Sequence, residues 1–146
     1  MQAKIAASEE ELKRTLAVLL QLRPQFSEET LLKQILSQQA AGYKIAYVED
    51  GQPGGKILCV AGFVLGEKLA WGKHIYVDDL VTDETNRSSG AGKFLIEWLK
   101  QFGRDNGCQQ LHLDSGVTRF AAHRFYLREG FDITSHHFAV IKLDAS

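Results

Sequence analysis

Leu12, Leu16, Leu19 and Leu20 recur on one helical face behind Ser8-Glu9-Glu10-Glu11, and Pro24 ends the run. The pattern predicts a first helix, with Ser8 and Glu11 as its capping box. Leu31, Leu32, Ile35 and Leu36 form a second apolar stripe up to Ala41-Gly42, behind Ser27-Glu28-Glu29, whose acids suit a helix start. A short strand near 3–6 precedes these helices. Beyond them the period changes to that of strands. Tyr43–Glu49 reads as a strand, Asp50-Gly51-Gln52-Pro53-Gly54-Gly55 as a turn, and Lys56–Leu65 as its hairpin partner. A further strand, about His74 to Thr82, completes an antiparallel meander. From about Gly90 to Phe102, Leu95, Trp98, Leu99 and Phe102 return to helical spacing, and Gly103 or Gly107 supplies the stop. Gln109–Asp114 is the next strand. Thr118 or Arg119 opens a short helix that reaches Glu129, with Gly130 just past its end, and His136–Leu143, rich in Val, Ile and Phe, reads as a last strand. The order β-α-α-β-β-β-α-β-α-β is that of a mixed α+β domain, without repeats or linkers beyond short turns.

Composition narrows the class. With 146 residues and 45% hydrophobic content the chain has the size of one domain with a real core, 1–146. A formal net charge of -1 provides no global basic field to recommend nucleic acid or an anionic membrane as partner, so local cations must meet any phosphate. No apolar run is long enough to span a bilayer, and Met1-Gln2-Ala3-Lys4 lacks the apolar segment of a signal peptide, which makes a cytoplasmic location the expectation. Cys59 and Cys108 are too few for a disulfide framework and read as reduced structural thiols. The histidines show no zinc-type spacing, and His136-His137 would point to opposite faces of a strand, so no metal is expected.

The candidate chemistry begins at Arg87-Ser88-Ser89-Gly90-Ala91-Gly92, which joins a strand-like run to a strongly amphipathic helix. Glycines here let the backbone turn tightly and approach a ligand, while the helix that follows aims free N–H groups and its positive dipole end at the same point. A pyrophosphate fits such a cradle. A Walker loop would need a glycine where Arg87 stands and Ser or Thr where Phe94 stands; the dinucleotide fingerprint would need a glycine in place of Leu95. What remains is R-x-x-G-x-G.

At this point the chain resembles the GCN5-related N-acetyltransferase (GNAT) superfamily, whose hallmark is [QR]-x-x-G-x-[GA] between strand four and helix three. Asp79-Leu80-Val81-Thr82-Asp83 precedes the motif as the strand end, and Phe94-Leu95-Ile96-Glu97-Trp98-Leu99 follows as the helix. Farther on, Ala122-His123-Arg124-Phe125-Tyr126-Leu127-Arg128-Glu129-Gly130-Phe131 is similar to the second signature, A-x-x-[FL]-Y-x-x-x-G-F. The resemblance covers nearly the whole chain. It implies a GNAT fold: a central, mostly antiparallel twisted sheet flanked by helices and splayed between strands four and five. The two first helices lie where the superfamily varies and shapes its acceptor pocket.

The resemblance also implies an acetyl-CoA-dependent N-acetyltransferase acting on a primary amine, small molecule or peptide, by direct attack in a ternary complex. Pantetheine would pair with backbone groups of Leu80, Val81 and Thr82, and the pyrophosphate would take N–H groups of Ser88, Ser89, Gly90, Ala91, Gly92 and Lys93, with help from Arg87 or Lys93. Tyr126 stands at the position of the tyrosine that often protonates the coenzyme thiolate. For the base, Asp78, Asp79 and Asp114 compete with a water chain; Asp78 and Asp79 would point to opposite sides of a regular strand. Arg119 stands where the family often has an asparagine that binds the pantetheine arm. Arginine has donors but no acceptor, so it would instead reach a coenzyme phosphate or stay solvated. A ping-pong route through Cys108 is the minor variant. A non-catalytic acetyl-CoA-binding module or regulatory interaction protein is the alternative from another class, and superfamily habits leave a homodimer open.

Overall fold

In the computed structural model, which describes residues 1–144, α1 (Glu9–Leu22) starts where Ser8 is extended and its hydroxyl accepts the Glu11 N–H at 3.1 Å. Glu11 reaches back to the Ala7 N–H at 3.3 Å, not to that of Ser8, so the expected box is only half closed there. The reciprocal box forms at α2 (Glu28–Gln39), where Ser27 and Thr30 each accept the other's backbone N–H, at 3.1 and 2.9 Å. Pro24 stops α1. Arg23 before it leaves the helical region (φ -121, ψ 66), as the residue preceding a proline should, and its side chain turns toward the sheet.

Five strands make one sheet in the order β1 (Gln2–Ile5), β2 (Lys44–Glu49), β3 (Ile57–Lys68), β4 (Gly72–Thr82) and β5 (Gln110–Leu113). Neighbours from β1 to β4 are antiparallel; β5 is parallel to β4, a geometry that requires the helical crossover α3 (Ala91–Asp105). The alternation along the central strands divides the core. Ile45, Tyr47 and Val60 lie in one cluster with Leu12, Leu16 and Leu19 of α1 and Leu31 and Ile35 of α2. Phe63, one residue out of phase with Val60 and Gly62, meets Trp98 and Phe102 of α3 edge-on at 6.5 and 5.6 Å. Leu95, Ile96 and Leu99 of α3 are fully buried. The sheet is thus covered by helices, in the mixed α+β arrangement expected.

The β3–β4 ladder slips by one residue. Gly62 pairs with Asp79 but Phe63 with Val77, which leaves Asp78 as the extra residue of a β-bulge. Gly62 is required for a steric reason: a Cβ there would fall on the phenol oxygen of Tyr43, which crosses this point to donate to Asp79 Oδ2 at 2.5 Å.

At the far end of β2, Glu49 is 0% exposed and accepts from Gln2 Nε2 (3.2 Å), Arg14 Nη2 (3.0 Å) and the Gly54 N–H (3.2 Å), with Lys4 Nζ at 3.3 Å. Burial alone would raise its carboxyl and is the largest single effect, yet these donors together outweigh it and hold the pKa at about 2. The cluster ties β1, α1 and the 50–55 turn to the end of β2.

The chain from Asp114 onward forms a second compact unit. It contains α4 (Phe120–Arg128), followed by Gly130 in the left-handed region at φ 94. The strand expected at His136–Leu143 is a correction: among the described residues no ladder includes it, and Phe138 and Ile141 are 90% and 91% exposed. Val, Ile and Phe favour strands only through the neighbours they pack on and pair with, so composition alone did not make one.

Two outcomes are expected. Because the pKa of Glu49 is depressed from 4.5 to about 2, its contribution of about 3 kcal/mol is complete above the ordinary carboxylate range and is lost as pH falls toward 2. Urea unfolding should therefore show a steep acid loss of stability that Glu49→Gln flattens, at a cost of about 3 kcal/mol at pH 7; parallel pH slopes in the two proteins would contradict this. Gly62→Ala should cost about 2 kcal/mol, and less than additively with Tyr43→Ala, since the clash disappears with the phenol. Full additivity in a double-mutant cycle would count against the assignment.

Candidate active site

The bulge coincides with the end of the β5 ladder. β5 pairs with β4 from His74↔Gln110 to Val77↔Leu113, while β4 continues through Asp78–Thr82, held on its other side by Leu80↔Ala61, Val81↔Val60 and Thr82↔Cys59. β5 itself ends at Leu113, and the bulge, which bends β4, falls at the residue just after the last β4–β5 pair. Leu80, Val81 and Thr82 therefore lie on a stretch of β4 edge without a β5 partner. Such an edge can pair with an extended, amide-bearing ligand.

Beyond Thr82 the chain turns through a short 3₁₀ segment, Glu84–Asn86, into Arg87, Ser88, Ser89 and Gly90. Ser88 is the only non-glycine residue with positive φ among those described (71°), and Gly90 follows at φ 87 as the N-cap of α3. A side chain at Gly90 would be strained by the backbone, not by crowding, since the nearest atom to a Cβ there is Met1 Cε at 3.9 Å. No side chain caps α3 from Gly90 itself. The Ala91 N–H is partly used within the loop, donating to Ser89 Oγ at 3.3 Å, and helical bonding begins with Phe94 N–H to the Gly90 carbonyl at 2.9 Å. Gly92 and Lys93 thus occupy the first turn of a long helix, where N–H groups and dipole favour an anion, with the exposed cations Arg87 and Lys93 beside them. This donor set suits a diphosphate.

Asp83 precedes the loop and is only 8% exposed. Its carboxylate accepts from Thr85 Oγ1 (2.5 Å), Gln21 Nε2 (2.7 Å) and Asn86 Nδ2 (2.6 Å), with Lys56 Nζ at 3.6 Å. The Thr85 bond first, then those of Gln21 and Asn86, hold the carboxyl far below the usual carboxylate range against the cost of burial.

The acids on β4 separate in character. Asp79 has both oxygens engaged: Oδ1 accepts from Arg23 Nε at 2.9 Å, with Nη2 of the same guanidinium in ion-pair range at 2.8 Å and donating to the Asp78 carbonyl at 3.2 Å, and Oδ2 accepts from the Tyr43 phenol. Burial first, and then the charge of Asp79, raise the Tyr43 phenol far above its ordinary value, so it stays a donor. Asp78 is exposed, but partial desolvation first and the neighbouring Asp79 charge second raise its carboxyl above the ordinary range, with Arg23 opposing. The strict alternation that would put Asp78 and Asp79 on opposite sides does not apply, because the bulge interrupts it at Asp78. Cys59 is buried beneath Thr82 with its thiol pushed up to about 11, which keeps it protonated and inert.

In the second unit Asp114 Oδ2 lies 2.7 Å from His137 Nδ1. Arg119 is the exposed N-cap of α4; its N–H donates to the Gly116 carbonyl at 3.0 Å, and its side chain makes no capping bond. Tyr126 is 9% exposed, its ring edge-on to Phe125 and Phe131 at 5.4 and 5.6 Å. Within the first unit the structure brings Asp78, Leu80, Val81 and Thr82 onto one strand end, followed directly by Arg87–Lys93; Asp114, Arg119 and Tyr126 belong to the second unit. Sequence reasoning missed Gln21, Arg23, Tyr43 and the role of Asp83. Pro24 signals that Arg23 must leave the helix, but nothing in the periodicity signals its partner.

Comparison with known proteins agrees with this geometry. The acetyltransferase (GNAT) family model matches residues 9–131. A protein named uncharacterized N-acetyltransferase YhdJ, from Bacillus subtilis, is 30% identical over 137 residues, which is 92% of this chain and 94% of that one. The crystal structure of a Trypanosoma brucei acetyltransferase superposes with a TM-score of 0.75 at 26% identity, covering 95% of this chain and 97% of that one. Aminoglycoside N-acetyltransferase AAC(6')-Iy, solved in complex with CoA, shares the fold with a TM-score of 0.74 at 16% identity over 97% of this chain and 98% of that one. The family match over residues 9–131 and the likeness to YhdJ along nearly the whole of both chains show that the chain belongs to the acetyltransferase (GNAT) family and is an N-acetyltransferase.

Proposed function

We propose that the protein transfers the acetyl group of acetyl-CoA to a primary amine by direct attack in a ternary complex. The observation that carries this reading is the start of α3, where the Gly92 and Lys93 N–H groups follow left-handed Gly90 downstream of the β4 edge at Leu80–Thr82. A strand edge and a phosphate cradle in that order suit the pantetheine and diphosphate of one coenzyme. The solved CoA complex of AAC(6')-Iy, a protein of the same fold, supports the choice. The family model spans residues on both sides of Leu113, which supports reading 1–146 as one acetyltransferase domain.

In this reading Ser88, Gly90, Gly92 and Lys93 offer N–H groups to the diphosphate, with Arg87 and Lys93 as cations, while the Ser89 N–H contributes only if its bond to the Asn86 carbonyl gives way. Ala91 contributes only if its contact with Ser89 gives way. The amine nitrogen attacks the thioester carbonyl carbon, the carbon–sulfur bond breaks, and the departing thiolate takes a proton. Asp78 is the base the geometry favours. Its carboxyl is exposed and raised, whereas Asp79 is committed to Arg23 and Tyr43, and Asp114 to His137. Tyr126 is the proposed acid, and Arg119 an exposed cation for a coenzyme phosphate. The acceptor is a small molecule or peptide amine that meets the walls made by α1 and α2.

Thiol release from acetyl-CoA with a panel of primary amines tests the reading. An amine-dependent signal is expected, while thermal stabilisation by acetyl-CoA with no turnover for any amine would mark a binding module instead. Asp78→Asn should lower kcat by about 10²-fold and remove the rise in rate as pH increases through the raised carboxyl pKa. An unchanged pH profile would assign the proton to water. Tyr126→Phe should lower kcat by a comparable factor, about 10²-fold, with KM for the amine unchanged; near-normal turnover across pH would remove Tyr126 as the acid.

A further inference from the structure

The loop that precedes α3 has little regular structure of its own, yet it must present its N–H groups at fixed positions to be useful to a diphosphate. What holds it is a short series of bonds that starts on α1. Gln21, in the last turn of that helix, uses both ends of its carboxamide: Nε2 donates to Asp83 Oδ1 at 2.7 Å, and Oε1 accepts the Glu84 N–H at 2.9 Å. Asp83 is itself fixed to the sheet, its N–H donating to the Leu58 carbonyl at 2.8 Å. From its carboxylate the series runs to Asn86, whose side chain donates to Oδ2 and whose N–H donates to the Asp83 carbonyl at 2.9 Å. The Asn86 carbonyl then accepts the Ser89 N–H at 3.2 Å, and Ser89 Oγ accepts the Ala91 N–H at 3.3 Å. The series thus ends on the first residue of α3, across Ser88 in its left-handed conformation.

The arrangement has an electrostatic requirement. An ionised carboxylate beside a phosphate cradle would repel the ligand unless its charge were taken up locally. Here Gln21, Thr85 and Asn86 donate to it and Lys56 stands at 3.6 Å, so the charge is satisfied inside the turn. An amide at position 83 would keep the size but would turn an N–H₂ toward one of these donors.

We propose that Gln21 and Asp83 are positioning residues for the coenzyme: together they hold the 84–90 loop in the shape that presents its N–H groups to the diphosphate. Affinity for the phosphorylated donor is then set in part from α1, the helix that also walls the acceptor side. This rests on the acetyl-CoA reading above.

The test compares two acetyl donors, acetyl-CoA and the acetyl thioester of N-acetylcysteamine, which has the same reactive bond and no diphosphate. Gln21 is exposed, so Gln21→Ala and Gln21→Glu should fold; the second keeps an acceptor for Glu84 but loses the donation to Asp83. Asp83→Asn is the third variant. For each, kcat/KM with acetyl-CoA should fall about tenfold more than with the short thioester, chiefly through KM for acetyl-CoA, and Kd for CoA by titration calorimetry should rise by a similar factor. Equal losses with both donors, or unchanged CoA affinity in Gln21→Ala and Gln21→Glu, would overturn the proposal while leaving the coenzyme reading intact. Wild-type protein that binds no CoA would overturn both.

Discussion

The extra residue in β4 is the constraint on which the rest of the candidate site depends. β5 ends at Leu113, opposite Val77, so β4 runs on past its last β5 partner from Asp78. Inserting Asp78 opposite the Gly62–Phe63 step bends β4 where the β5 ladder ends, and among the described strands the residues after it pair with β3. The bulge is supported from beneath. Gly62 makes room for the Tyr43 phenol, the phenol holds Asp79, and Arg23 closes the other oxygen of the same carboxylate. Asp79 is thereby spent on structure, and its charge is one cause of the raised carboxyl at Asp78. One irregularity in backbone pairing thus separates two adjacent aspartates into a fixed one and a titratable one.

Two buried carboxylates serve the sheet at different places. Glu49 joins β1, α1 and the 50–55 turn at the end of β2, and Asp83 joins α1, β4 and the turn into α3. Neither could remain ionised and buried without its donors. Both instead have depressed pKa values, because several hydrogen bonds converge on each. In both, the partners come from segments far apart in sequence, so the same bonds that satisfy the charge also fix how α1 meets the sheet.

The motif loop and the helices were legible because their signals are local. Leucine spacing, Ser27, Pro24 and the R-x-x-G-x-G run each act within a few residues, and the structure puts α1, α2 and α3 close to where these signals place them. The irregular features were not legible for the converse reason. A bulge at Asp78 is a relation between two strands, and the Arg23, Tyr43 and Gln21 contacts join positions 36 to 63 residues from their partners. Asp78 and Asp79 were expected on opposite faces because regular alternation was assumed. His136–Leu143 carries strand-forming side chains, but composition cannot supply a pairing partner.

In the proposed complex one coenzyme lies along Leu80–Thr82 and ends its diphosphate on the first turn of α3. A crystal structure of the protein with CoA tests it most directly. Diphosphate oxygens are expected within hydrogen-bond distance, about 2.7–3.2 Å, of the Gly92 and Lys93 N–H groups, and pantetheine amides paired to the β4 edge beyond Val77. A coenzyme bound elsewhere, or a diphosphate that left the α3 N–H groups to water, would contradict it.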